Sequence, residues 1–227
     1  PFFNGRTRAL GNLSCHVSHL AGGRFPHLPH QHREEEILLL LSGQVDLIFP
    51  DQKNGDGNVR HPLKAGELAY YPKYFAHTIQ ASGKDLSKYL MFKWEGHRVF
   101  RNPTLSFNTF GVSNFEKTSQ EEKGFSFITL FEGETSYLTK LHCHLSTLTP
   151  GSGYAPHVDP YDVVIVVLEG EVETLGERVG PHGVIFYADG EAHGIRNTGQ
   201  GKAKYLVFEF HGRRRYFCRR LIRRLGK

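Results

Sequence analysis

His30, His32, Glu36 and His77 are the residues of this chain whose types and spacing could do chemistry. The first three lie in His30-Gln31-His32-Arg33-Glu34-Glu35-Glu36, followed after six residues by Gly43. The fourth closes a second run that starts at Gly66, passes Pro72 and ends on His77. Neutral imidazoles and a carboxylate suit a divalent first-row metal, and two or three histidines plus one carboxylate with open positions is an iron-type arrangement.

Residues two apart on a β-strand share a face. His30, His32 and Glu36 can therefore point inward from one strand, and His77 must come from another. The intervening sequence supplies the reversal. Ile37-Leu38-Leu39-Leu40-Leu41 is a buried apolar run, Ser42-Gly43 a turn, and Gln44 to Phe49 an alternating strand. The same alternation puts Glu34 on the ligand face, as support for a liganding histidine or a catalytic acid/base. It puts Glu35 outside, as a solvated surface charge. Tyr70 and Tyr71, within the second run before His77, could supply hydrogen bonds or an acid/base, with Tyr70 the leading candidate, and His27 is read as a loop residue.

These residues resemble the cupin superfamily, whose first motif is H-x-H-x(3,4)-E-x(6)-G and whose second is G-x(5)-P-x-G-x(2)-H-x(3)-N. The chain matches every defining position of the first and Gly66, Pro72 and His77 of the second. It departs at Tyr74, where glycine is usual, and at Ala81, where asparagine is usual. The resemblance implies an all-β fold, a small antiparallel jelly-roll β-barrel with the metal inside, and His30, His32, Glu36 and His77 as ligands.

The chain then repeats itself in order. Leu13-Ser14-Cys15-His16-Val17 returns as Leu141-His142-Cys143-His144-Leu145. Leu40 to Val45 returns as Val167 to Val172, and Lys88 to Lys93 as Lys204 to Glu209. The whole chain thus resembles a bicupin of two tandem barrels. In the second copy His157 and His193 stand for His30 and His77. Asp159 replaces the second histidine and Val163 the glutamate, while Asp162 is one residue out of register. His157, Asp159 and His193 form a second, degenerate site that holds a metal weakly, hydrogen-bonds a ligand, or serves packing alone.

The expected division is an N-terminal arm (1–11), a first barrel with the metal site (12–96), a connector (97–124), a second barrel (125–212) and a basic C-terminal helix (213–227). The connector is expected to carry a short helix between Asn114 and Lys123. The C-terminal helix carries seven arginines, one lysine and no acid, so the net charge of +5 becomes −3 without it. Its apolar residues Phe217, Leu221 and Leu225 recur at helical spacing. It is read first as packing on the second barrel, and second as a contact for an anionic partner.

Hydrophobic content of 39% and charged content of 22% are ordinary for a globular protein, and 25 glycines with 11 prolines suit many strands and tight turns. Three scattered cysteines give no disulfide framework or metal knuckle, which favours a reducing cytoplasm. Neither a membrane span nor a signal peptide is legible, and no basic aromatic face points to nucleic acid.

The expected function is that of a metal-dependent enzyme acting on a small polar molecule, because open metal positions belong to catalysis. An iron(II) dioxygenase is the leading class, with Fe2+ ahead of Mn2+, Ni2+ or Zn2+. A redox-neutral isomerase, epimerase or decarboxylase and a non-catalytic ligand-binding protein are the alternatives. A homodimer is the expected assembly, since barrels of this family often pair edge to edge.

Overall fold

The computed structural model describes residues 1–51, 57–97, 99–100, 102–112, 120–122 and 124–213. Nineteen strands make up the regular structure of these residues. In the N-terminal half, β1 (Phe3–Gly5), β2 (Leu10–Leu20), β8 (Ser87–Gly96), β3 (Glu35–Ser42), β6 (Glu67–Tyr71) and β9 (Asn108–Gly111) form one sheet in that order. Facing it are β5 (Asn58–Lys64), β4 (Gln44–Pro50) and β7 (Thr78–Ala81).

The C-terminal half repeats the plan. Its larger sheet runs β10 (Gln120–Glu122), β11 (Phe125–Gly133), β12 (Leu138–Leu148), β19 (Ala203–Gly212), β14 (Asp162–Glu169), β17 (Val184–Tyr187). The smaller runs β13 (Gly153–Val158), β18 (Ala192–Asn197), β15 (Val172–Thr174), β16 (Glu177–Val179). Pairing registers match between the copies: Cys15 faces Phe92 as Cys143 faces Phe208, and Glu36 faces Lys93 as Val163 faces Glu209.

Alternation decides which core each residue enters. On β3, Leu38 and Leu40 turn toward the small sheet and pack with Val45, Leu47, Tyr71 and Ile79. Their neighbours Ile37 and Leu39 turn the other way and join Phe92 and Trp94 in a core shared with Val164, Phe208 and Phe210 of the second half. The two large sheets therefore pack back to back, each with its small sheet outside. A continuous apolar run such as Ile37 to Leu41 is what a strand buried on both faces requires.

Several expectations change here. His30 makes only an isolated bridge to His77, and His32 lies in no strand. Residues 1–11, expected as an arm that packs on the other half or on a partner subunit, do reach the other half, with Phe3 against Phe186 at 5.1 Å and Arg8 at 3.6 Å from Asp189, but they also extend the first sheet through β1 on β2. The connector is partly built into the sheets, because β9 pairs with β6 and β10 is a strand where the helix was to end. The rest of that helix, at 114–119 and 123, and the basic helix at 214–227 lie outside the described residues.

The Tyr74 departure has a visible cost. Its φ is +58°, and at the equivalent place Gly190 has φ +83°. Both donate a backbone hydrogen bond back to the segment that carries the preceding histidine, Tyr74 to His32 at 2.7 Å and Gly190 to Asp159 at 2.8 Å. An L-residue in this region pays about 1–2 kcal/mol that glycine avoids, partly returned as glycine's extra entropy loss. Tyr74 is half exposed, so little packing is lost with it. Tyr74→Gly should stabilise the fold by ~0.5–1 kcal/mol, read as a higher urea midpoint at unchanged slope.

Candidate metal centre

Chain reversal through β4 to β7 sets His77 against the loop that carries His30 and His32. His30 and His77 exchange backbone hydrogen bonds at 3.2 and 3.0 Å. Glu36, at the start of β3, points toward the small sheet between the two histidines. Its Oε2 lies 3.1 Å from His32 Nε2, and its Oε1 lies 3.4 Å from His77 Nε2. Ligand atoms of His32, Glu36 and His77 all fall within 4.8 Å of one another. The His30 ring stands 5.2 Å from His32 and 5.5 Å from His77, centre to centre.

Outer contacts choose the tautomers. His32 Nδ1 is 3.0 Å from the Glu34 carbonyl and His77 Nδ1 is 2.7 Å from the Phe75 carbonyl. An N–H donated to a carbonyl leaves Nε2 bare and directed at the centre, the ligand form of imidazole. The Tyr71 ring stacks on His77 at 4.1 Å and 14°, fixing its plane. Burial, and then the neighbouring histidines and Lys93, hold His30 below the usual imidazole range, so it stays neutral. For Glu36, burial raises the pKa, but the adjoining His32 and His77 rings and the Lys93 charge prevail, leaving it well below the usual carboxylate range.

The residues fit a divalent cation by two observations. His30 Nδ1 is buried with no hydrogen-bond partner among the described residues. The Lys93 ammonium already acts as a stand-in cation, 3.1 Å from Glu36 Oε2 and 3.4 Å from His32 Nε2. Lys93 was missed in the sequence. It stands directly across from Glu36 in the β3–β8 register, a pairing visible only once β3 and β8 are known to be neighbours.

Three expectations are corrected by geometry. Tyr70 is on the wrong face: its hydroxyl donates to Glu35 Oε1 at 3.2 Å in the shared core, while its neighbour Tyr71 faces His77. Glu35 is no surface charge; it is 0% exposed. Trp94 Nε1 (2.9 Å), Thr135 Oγ1 (2.6 Å) and the Ser136 N–H (2.6 Å) all donate to it alongside Tyr70. The face away from the ligands is covered by the second half, which alternation alone does not reveal. Glu34 reaches only the outer nitrogen of His32, at 3.4 Å, so it positions that ring and does not face the centre. His27 is exposed, its ring edge-on to His30 at 4.0 Å.

The second copy gathers His157, Asp159 and His193. Both Nε2 atoms lie 3.4 Å from Asp159 Oδ2, His193 Nδ1 meets the Glu191 carbonyl at 2.9 Å, and Tyr187 stacks on His193 at 4.0 Å. Val163 stands in the position of Glu36, opposite Glu209. These residues line a cavity of about 520 Å3.

Comparison with known proteins agrees with this architecture. Residues 12–113 match the cupin family model, and solved structures of the same fold extend over most of the chain. Over that stretch the chain is similar to the cupin family. A single-site mutant of Bacillus subtilis oxalate decarboxylase superposes with a TM-score of 0.64 at 14% identity, covering 89% of this chain and 70% of that one. AerE from Microcystis aeruginosa gives 0.65 at 14% identity, covering 87% of each chain. Lactobacillus farciminis oxalate decarboxylase in its formate complex gives 0.63 at 13% identity, covering 89% of this chain and 78% of that one. No curated protein matches this chain in sequence. At these identities the structural likeness speaks to fold alone.

Proposed function

We propose that this chain is a metal-dependent cupin enzyme acting on a small, carboxylate-bearing molecule at His30, His32, Glu36 and His77, with Fe2+ as the metal and dioxygenation as the reaction. The observation that carries this reading is the convergence of two bare Nε2 atoms on one deeply buried carboxylate. When bound, the cation supplies Lewis acidity and open positions for small oxygen ligands. The protein's own part is to hold the ligand tautomers through the Glu34 and Phe75 carbonyls and to fix the His77 ring under Tyr71. Lys93 gains a role only with substrate. Once a cation neutralises Glu36, its ammonium is free to pair with a substrate carboxylate beside the centre.

Lys93 also favours a second reading, a redox-neutral decarboxylase, because such an enzyme must seat a carboxylate beside its metal. The solved oxalate decarboxylases of the same fold are in keeping with it. The discriminating experiment screens small carboxylic acids with the iron- and manganese-loaded protein, following dioxygen uptake and carbon dioxide release. Substrate-dependent uptake supports the dioxygenase; carbon dioxide release at constant dioxygen supports the decarboxylase; neither, with full metal occupancy, leaves a binding protein. Lys93→Met should raise KM for an anionic substrate by roughly 10-fold or more, the worth of a charge-assisted hydrogen bond, while metal content holds. An unchanged KM would remove the carboxylate from the proposal.

A further inference from the structure

The second half carries a histidine group that neither motif contains. His142 and His144 alternate on β12, so both face the cavity side, and β19 places Glu209 directly across from His142. The ligand atoms of all three lie within 4.8 Å of one another. We propose that His142, His144 and Glu209 form a metal site in their own right, suited to Zn2+ or a similar first-row cation and independent of the first centre.

Three observations support the assignment. First, His142 Nε2 and His144 Nδ1 face each other at 3.1 Å, close to the roughly 3.3 Å edge between two nitrogens around tetrahedral zinc. Second, both flanks are braced by further polar groups. His142 Nδ1 is 2.8 Å from Glu132 Oε2, the carboxylate–histidine pairing that fixes a ligand's tautomer, and His211 Nε2 is 2.8 Å from Glu209 Oε2. Third, the register shows that the first copy has nothing comparable. Ser14 and Lys93 occupy the positions of His142 and Glu209, so two differences between the copies turn an ammonium site into a cation ligand set. The carboxylate lost from β14 at Val163 reappears on the neighbouring strand. His144 and Glu209 line the same 520 Å3 cavity as His157, Asp159 and His193, which gives the site a path to solvent and to a ligand.

The test is zinc binding by untagged full-length protein after chelator treatment and back-titration, with cobalt(II) as a spectroscopic reporter. In a His32→Ala/His77→Ala background, one zinc per chain should remain and cobalt should give tetrahedral d–d bands. Adding His142→Gln and Glu209→Gln should weaken that zinc at least 10-fold, with the far-UV dichroism and urea midpoint checked for an intact fold. No zinc retained in the background variant overturns the proposal: the short nitrogen–nitrogen contact is then only a hydrogen bond. Zinc that survives the added pair but is lost with His157→Ala/His193→Ala overturns it equally, by placing the ion at the motif-derived trio. If the added pair unfolds the chain, zinc-dependent protection of His142 and His144 from diethylpyrocarbonate in the background variant decides, and equal labelling with and without zinc sinks the idea.

Discussion

Glu35→Gln should destabilise the protein by about 3 kcal/mol or more, the largest stability effect expected of any single polar substitution on β3. The side chain receives four donors, from Tyr70, Trp94, Thr135 and Ser136, in a space without solvent. An amide of the same shape turns an N–H2 toward two of them and strands buried donors. For a chain of this size the melting temperature should fall on the order of 10 °C. Tyr70→Phe, which removes one donor of four, should cost about 1 kcal/mol. Burial pushes the Glu35 carboxyl up and its four donors oppose that shift. Equal small losses in both variants would show that the carboxylate does not link the halves. Metal content should be unaffected in either, since Glu35 faces away from the histidines.

His77→Ala should abolish catalysis and weaken metal binding far beyond the 10–100-fold typical of losing a supporting contact, with the strand dichroism retained. His32→Ala should behave alike. Each removes a bare Nε2 whose tautomer a backbone carbonyl enforces, and each leaves Glu36 with Lys93 and only one of the two histidines. His157→Ala, in the second copy, should change activity less than His30→Ala. Elemental analysis of the purified variants gives the answer. Full occupancy in His77→Ala would dismiss the ligand set, and equal loss of activity from His157→Ala and His30→Ala would make the second trio catalytic as well.

Much of this was legible in the sequence. The order of the internal echoes foretold two sheet pairs of one plan, and of the four spaced residues the fold gathers the ligand atoms of His32, Glu36 and His77, with the His30 ring beside them. What stayed hidden depended on neighbours in space. Alternation assigns Glu35 to the face opposite Glu36, yet nothing in 12–96 says that Thr135 and Ser136 cover that face. Choosing Tyr71 over Tyr70 required the pairing of Glu36 with Tyr71, because a turn of unknown geometry lies between the strands. Lys93 and Glu209 lay at the ends of a recorded echo, but their opposition to Glu36 and His142 is a matter of sheet order.

The shared core between the two large sheets carries a cost for either copy alone. Ile37, Leu39, Phe92 and Trp94 of one copy and Val164, Phe208 and Phe210 of the other would meet water if either copy stood alone. Neither half can be cut away without uncovering that core. The C-terminal half is therefore indispensable for its hidden side, whatever the pocket on its other side binds.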